Sequence, residues 1–304
     1  MQYKHLKYGL PMINDLVRNS FYKTILQDTK DKVCLEIGFG SGILSILAIE
    51  AGAKHIVAYE EDLETYDLGI KVIKELNLQD KITLIGERFE SNKISNHTNI
   101  DCIFTETIDQ TLWGESLLDA LQHNVKLPKI IPNICFLEAH ALEIGDNFAK
   151  TLIDNDSNIC NPGIELNPKF SDTINKIMNI TTNKVEAGLH GVQINNMHKL
   201  VNLTGIHNRT PEQSYSVDLN DPVPVSTKIK WEVKLEKEKN YLVVLRTGML
   251  YKSNKLYTDV CLNWGPLKQY PLIYNAQDNL IIEQNFADGN FVFSYNDQVI
   301  NYDQ

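Results

Sequence analysis

The sequence predicts an α/β protein with a doubly wound parallel sheet in its first half and an antiparallel barrel or sandwich in its second. Three observations predict this. Short apolar strands alternate with amphipathic helices from Val33 to Phe104. Beyond about residue 140 the alternation stops, and strand-like runs follow one another with only glycine and asparagine clusters between them. A glycine-rich turn lies between the first strand and the next helix, the place where open α/β sheets bind ligands.

Residues 1–30 read as helical, with Met12, Ile13, Leu16, Val17, Phe21, Ile25 and Leu26 spaced to build one broad apolar stripe that covers something. Strands are predicted at Val33 to Ile37, Ile56 to Tyr59, Ile82 to Ile85 and Ile100 to Phe104. Helices are predicted from Ile43 to Ala51 and from Asp62 to Asn77, the second carrying Leu63, Tyr66, Ile70, Ile73 and Leu76 on one face. Pro132 fixes the path of the chain at the passage between the two halves. A polar, Asn- and Asp-rich excursion spans 145–195, with a short helix candidate from Ser171 to Met178. Strands follow at Lys228 to Val233, Tyr241 to Leu245, Leu280 to Glu283 and Phe291 to Tyr295. The expected division is 1–30 as a helical cover, 31–140 as the α/β domain and 141–304 as the second domain.

With 304 residues, 43% of them hydrophobic and 22% charged, the chain is long enough for two cores and too apolar for disorder. Its net charge of −10 argues against a direct nucleic-acid surface and favours a basic partner. The five cysteines lack the spacing of a zinc or redox motif and read as reduced, mostly buried thiols. No signal-peptide core opens the sequence, and no run of about 18 apolar residues is present. The expectation is an intracellular, cytoplasmic protein without membrane contact, the nucleus being left open.

The strongest local signal is Glu36-Ile37-Gly38-Phe39-Gly40-Ser41-Gly42. Glycines there let the backbone turn sharply and approach a ligand, while the amides of the following helix face the crevice. Glu60 ends the second strand, twenty-two residues after Gly38, where a carboxylate can take both hydroxyls of an adenosine ribose. A dinucleotide fingerprint wants G-x-G-x-x-G, whereas this spacing is G-x-G-x-G after an acid that would repel a pyrophosphate. S-adenosylmethionine, which has no phosphate, fits better.

After the fourth strand come Glu106-Thr-Ile-Asp109-Gln-Thr-Leu-Trp113-Gly-Glu115, a loop bracketed by two glutamates nine residues apart. With this loop the chain resembles the protein arginine methyltransferases, and Glu106-Thr-Ile-Asp109 is most similar to the monomethylating, type III members. The resemblance implies a Rossmann-like S-adenosylmethionine-dependent methyltransferase domain, then a β-barrel domain with a helical dimerisation arm in the 145–195 excursion, and a homodimer. It also implies that Glu106 and Glu115 are catalytic, gripping the guanidinium of an arginine in a basic protein or peptide. The chemistry suits that role: a guanidinium is planar and always protonated, and two carboxylates both hold it and draw charge away from the nitrogen that attacks. Two buried acids with no cation between them repel, so the empty site is expected to hold a proton on one of them. No metal is needed. The competing account of the pair is a solvated loop of scattered charges.

In Met12-Ile-Asn-Asp15-Leu-Val-Arg18-Asn19 the resemblance implies that Arg18 pairs with the carboxylate of the cofactor's methionine part. Together with Arg18, the cofactor set is Glu36, Gly38, Gly40, Gly42, Glu60, Phe89 and Glu90. Glu90 would take the adenine amino group and the Phe89 main chain would lie beside the ring, with Glu87 a rival for Glu90. The substrate-pocket set is Trp264, Asn263, Asp109, Trp113 and Asp15. The family's Thr-His-Trp loop here reads Leu262-Asn263-Trp264, so the histidine that pairs with the residue matching Asp15 is missing. Asn263 can hydrogen-bond to Asp15 but cannot relay a proton, whereas Trp264 can still wall the pocket. Asp109 and Trp113 could restrict space around the nitrogen and favour a single methylation. Other readings are a small-molecule methyltransferase acting on free arginine, a guanidine or an amine, and a non-catalytic dimeric scaffold.

Overall fold

The computed structural model describes residues 12–108, 117–121, 127–154, 186–192, 206, 209–221, 228–258, 270–285 and 290–302. The chain divides into two compact units, each built from separate stretches. One comprises 1–137, 215–226 and 247–265, and the other 138–214, 227–246 and 266–304.

In the first unit, helix α1 (Leu16–Ile25) precedes a sheet of strands β1 (Val33–Ile37), β2 (His55–Tyr59), β3 (Ile82–Ile85), β4 (Cys102–Thr105) and β5 (Lys129–Ile131). All four neighbouring pairs are parallel, in the order β3-β2-β1-β4-β5. Helices α2 (Ile43–Glu50) and α3 (Leu63–Glu75) follow β1 and β2, and the short α4 (Leu117–Leu121) lies between β4 and β5. Cys34, Leu35, Ile56, Ile103 and Phe104 are fully buried, as expected for parallel strands covered on both faces. Cys34 and Cys102 stand opposite each other on β1 and β4 with Sγ atoms 3.5 Å apart. With Cys135 they are free, buried thiols. The chain order reverses between β1 and β4, which makes the carboxyl ends of these two strands the topological switch point of the sheet.

The N-terminal stripe does not bury as one face. Asp15 caps α1 by accepting the Arg18 N–H (3.0 Å), which starts a new helix at Leu16 and fixes its rotation. Arg18, Phe21, Tyr22 and Ile25 then point inward, while Ile13, Leu16 and Val17 stay exposed, Leu16 at 80%. The polar pair Asp15 and Arg18 takes the inner position that hydropathy alone would give to Leu16 and Val17. In α3 the buried residues are Gly69 and Ile73, whereas Leu63, Ile70 and Leu76 of the predicted face are exposed. Asp62 caps that helix through the Thr65 N–H at 2.8 Å.

The second unit contains an antiparallel sheet of β9 (Lys228–Val233), β13 (Leu280–Asn285), β14 (Phe291–Tyr295) and β15 (Gln298–Tyr302), ordered β15-β14-β13-β9. Trp231 on β9 and Phe293 on β14 flank Ile282 in register, and all three are buried. The remaining strands are β6 (Ile134–Ile144), β7 (Gly188–Val192), β8 (Gln213–Asp218), β10 (Asn240–Tyr251), β11 (Asn254–Tyr257) and β12 (Tyr270–Tyr274). They form a second sheet in the order β7-β12-β10-β6-β8, with β11 on β10. Helix α5 (Asp146–Asp154) opens the polar excursion, while the helix expected at 171–178 lies outside the described residues. The Ile131–Pro132 peptide is cis. No helix among the described residues is long and apolar enough to cross a membrane.

Candidate active site

The glycine turn leaves β1 at the switch point with Gly38, Gly40 and Gly42 all at positive φ (77, 53 and 78°), a conformation that L side chains rarely adopt. The amides of Gly38 and Phe39 both donate to the Tyr59 carbonyl (3.0 and 2.9 Å), which pins the turn to the end of β2. Phe39 folds back into the core. A Cβ at Gly42 would stand 2.6 Å from its ring, and one at Gly69 on α3 would stand 2.8 Å from it. A Cβ at Gly38 would meet the Thr107 methyl at 2.7 Å, so β1 and β4 approach closely at their carboxyl ends. Above Gly40 there is open space among the described residues, none of which comes within 4 Å of where a Cβ would be.

Glu60 is nearly buried and receives the Gly40 N–H (2.8 Å) on Oε2 and the Asp62 N–H (3.0 Å) on Oε1. It thereby joins the glycine turn to the start of α3, and each oxygen keeps a further lone pair. Glu36, the next-to-last residue of β1, is fully buried. Ser45 of α2 donates its hydroxyl to Glu36 Oε2, while Oε1 is buried with no hydrogen-bond partner. Burial pushes the Glu36 carboxyl up to about 8. The Ser45 hydrogen bond and the charge of Arg18 oppose that rise, and the charge of Glu60 adds to it. The Ser41 hydroxyl is likewise buried and unpartnered.

Across the switch point, Arg18 and Glu106 form a buried ion pair with Nη2 2.7 Å from Oε2. Nη1 of Arg18 donates to Asn19 Oδ1 (3.1 Å), and the guanidinium lies 5.3 Å from the Tyr22 ring centre. Tyr22 donates its hydroxyl to the Thr105 carbonyl at 3.0 Å, which holds α1 against the end of β4. Thr105 in turn donates to the Ile37 carbonyl (3.0 Å), linking the ends of β4 and β1. Glu106 thus has a cation beside it.

On the opposite side of β1, the segment after β3 carries Phe89 and Glu90. The Phe89 ring is buried and meets Tyr59 edge to face at 5.2 Å, leaving its main chain as the part that can face a ligand. Glu90 is exposed and precedes a 3-10 turn (Ser91–Asn96). Its rival Glu87 is tied to Lys93 Nζ at 3.0 Å. Tyr59 Oη lies 2.6 Å from His97 Nε2.

Asp15, Arg18, Glu36, the three glycines, Glu60 and Glu106 therefore converge on the carboxyl ends of β1, β2 and β4. Asp109, Trp113, Glu115, Asn263 and Trp264 lie outside the described residues. Sequence reasoning missed Ser45, Tyr22, Tyr59 and His97. Ser45 carried a signal, being a lone hydroxyl in the apolar helix Ile43-Leu-Ser-Ile-Leu-Ala-Ile-Glu50, three residues past Gly42. Tyr22 is one turn beyond Arg18 on the same face. Nothing in the sequence singled out His97.

Comparison with known proteins follows the same lines. A family described as "Conserved hypothetical protein 95" matches residues 10–122. Protein arginine N-methyltransferase 9 of Xenopus laevis is 32% identical over 117 residues, covering 37% of this chain and 14% of that protein. Histone-arginine methyltransferase CARMER of Anopheles gambiae is 32% identical over 129 residues, 41% of this chain and 20% of that protein. Protein arginine N-methyltransferase 1.1 of Arabidopsis thaliana is 29% identical over 123 residues, 39% of this chain and 31% of that protein. The matched stretch thus spans less than a third of each of these relatives. Among solved structures, "Crystal structure of PRMT6" superposes with a TM-score of 0.59 at 16% identity, covering 98% of this chain and 97% of that one. The Trypanosoma brucei PRMT1 enzyme-prozyme heterotetrameric complex with AdoHcy gives a TM-score of 0.55 at 17% identity, covering 99% and 98%. In the sequence of its α/β part and in fold over nearly its whole length, a Rossmann-like domain with a β-barrel, the chain is similar to the protein arginine N-methyltransferases.

Proposed function

We propose that this chain is an S-adenosylmethionine-dependent N-methyltransferase acting on the guanidinium of arginine in basic protein or peptide segments. The observation that carries the proposal is the buried Glu106 just past the carboxyl end of β4, paired with Arg18 beside the switch point of the sheet.

The residues present fit the cofactor. Its ammonium group needs a buried acceptor, and Glu36 Oε1 is a buried carboxyl oxygen with no hydrogen-bond partner. Its body needs room over the turn, and among the described residues the space above Gly40 is open. Its ribose needs a carboxylate, and Glu60 is fixed by two amides with lone pairs to spare. In this reading Arg18 takes the cofactor's carboxylate with part of its five-donor fork while keeping Glu106, and Glu90 and the Phe89 main chain hold the adenine. When bound, the cofactor supplies an electrophilic methyl group on a sulfonium sulfur.

The protein's own work is binding and alignment. Glu106, with Glu115, grips one edge of the guanidinium and draws its positive charge toward the carboxylates, leaving a terminal nitrogen more nucleophilic and aimed at the switch point. Arg18, held at 2.7 Å, fixes which way Glu106 points. Asp15 orients Arg18 by setting the start of α1. The proton shed by the nitrogen after transfer passes to a carboxylate of the pair or to solvent, since Asn263 cannot accept it at neutral pH. Asp109 and Trp113 in the loop support transfer of a single methyl group, and the family likeness supports a homodimer.

The test is transfer of labelled methyl from S-adenosylmethionine to a glycine- and arginine-rich peptide and to free arginine, comparing wild type with Glu106→Gln and Glu115→Gln. Label on the peptide, lost by about 10²-fold or more in either variant, is expected. Label on free arginine alone would move the function to small-molecule chemistry. Dimethylarginine in the product's mass spectrum would overturn the single-methylation reading.

A further inference from the structure

The segment from Gly86 to His97 leaves β3 and returns beside β2, carrying in its middle the Phe89 main chain and Glu90. Each end of the segment is tied to β2. At the near end the Glu60 N–H donates to the Ile85 carbonyl at 3.0 Å. At the far end the Tyr59 hydroxyl and His97 Nε2 are 2.6 Å apart. Tyr59 and Glu60 are consecutive residues, so both ties end at the residues where the ribose acid is placed. Burial, foremost, and the charge of Glu87 raise the Tyr59 pKa, so its hydroxyl stays protonated, and the tautomer of His97 sets which of the two groups donates.

The Tyr59 ring also forms the floor of the segment. Phe89 meets it edge to face at 5.2 Å and His97 at 5.8 Å, and Lys93 Nζ lies 5.9 Å from its centre. Lys93 also donates to Glu87 (3.0 Å) and to the Arg88 carbonyl (2.6 Å), and its N–H donates to the Glu90 carbonyl at 2.8 Å. A segment of this length fastened at one end only would sample many conformations, and fastening the second end removes most of them before any ligand arrives.

We infer that Tyr59 and His97 are a positioning pair for the adenine end of the cofactor: their hydrogen bond fixes the distance between Glu60, which takes the ribose, and the Phe89–Glu90 segment, which takes the base. The inference rests on the methyltransferase reading above. Neither side chain touches the reacting atoms. Glu106 directly follows β4, across β1 from β2, so the pair acts on cofactor affinity and leaves the grip on the substrate alone.

Three variants test it: His97→Phe, Tyr59→Phe and His97→Gln, whose side-chain amide can still hydrogen-bond to the phenol as acceptor or donor. Calorimetric titration with S-adenosylhomocysteine is expected to show Kd rising about tenfold in the first two and returning most of the way in His97→Gln. The KM for S-adenosylmethionine rises in parallel, while kcat and the peptide KM stay within about twofold. In the ligand-free protein, amide hydrogen exchange across residues 86–97 quickens in His97→Phe while β1 and β4 remain protected. Unchanged Kd in both disrupting variants, when wild type binds, overturns the inference and leaves the methyltransferase reading standing. Exchange that quickens throughout the first unit overturns it by showing a general structural role. Failure of wild type to bind S-adenosylhomocysteine overturns both.

Discussion

Replacing Glu36 with glutamine should abolish most of the loss of stability that the wild-type protein shows as pH rises through neutrality. The Glu36 carboxyl is fully buried, and its pKa rises from an ordinary 4.5 to about 8. Between those values the folded chain holds a proton that the unfolded chain has released. Stability is therefore greatest below pH 4.5 as far as this group is concerned, falls as pH rises toward 8, and levels off above. At about 1.4 kcal/mol for each tenfold change in proton affinity, the full effect is on the order of 5 kcal/mol. Glutamine keeps the acceptor that Ser45 uses and carries no charge at any pH, so the variant should show none of this fall. Urea unfolding at about pH 5.5 and about pH 8.5 would measure it, as the difference between the pH dependences of wild type and variant. Identical pH dependences would mean that the buried carboxyl is already ionised in the fold, and the argument from desolvation would fail. Under the proposed function, the cofactor's ammonium group would reverse the balance at Glu36. Binding of S-adenosylhomocysteine near pH 7 should then release close to one proton, measurable by titration in buffers of differing ionisation enthalpy.

Other perturbations probe the frame around that site. Arg18→Ala leaves Glu106 buried without its cation and should cost about 3–5 kcal/mol in urea unfolding; a loss under about 1 kcal/mol would mean that the ion pair does not anchor α1. Gly69→Ala places a methyl group 2.6 Å from Leu84 and 2.8 Å from the Phe39 ring. It should destabilise the fold by about 1–3 kcal/mol and weaken cofactor-analogue binding by displacing Phe39 from beneath Gly42, and a wild-type melting curve would remove Phe39 as the brace of the turn. Tyr22→Phe deletes the hydrogen bond to the Thr105 carbonyl and should cost about 1–3 kcal/mol, with unchanged unfolding indicating that another donor reaches that carbonyl.

Four of the five strands of the parallel sheet were legible in the sequence because each is a short apolar run bounded by turn residues, whereas the three-residue β5 was too short to be marked. Predicted strands at 33–37 and 82–85 coincide with β1 and β3, and 228–233 and 291–295 coincide with β9 and β14. Long strands were harder to see. Only five of the twelve residues of β10 stood out, and β6 was not marked, because both are buried over nearly their whole length and lack the alternation that a half-exposed strand shows. The two ends of the site were legible for a different reason. Glu36, Glu60 and Glu106 are acids at the carboxyl ends of apolar strands, a combination that burial makes costly unless it is used. What the sequence did not show is which partner each acid has. The Arg18–Glu106 pair spans 88 positions, and the Tyr59–His97 bond depends on the path of an irregular segment. Both arise from tertiary placement, to which local periodicity is blind.

The hydroxyl of Tyr22 also lies 3.3 Å from the sulfur of Met249, a residue 227 positions later. During synthesis the parallel sheet and α1 leave the ribosome long before β10 does. The N-terminal helix therefore lacks one wall of its seat until more than four-fifths of the 304 residues have been made. Closing so long a loop is slow, and the gain from the contact comes only after that entropic cost. The helix that carries Arg18 and Asp15 should thus be among the last parts to lock, and the acids of the sheet are assembled earlier than the arginine that holds one of them.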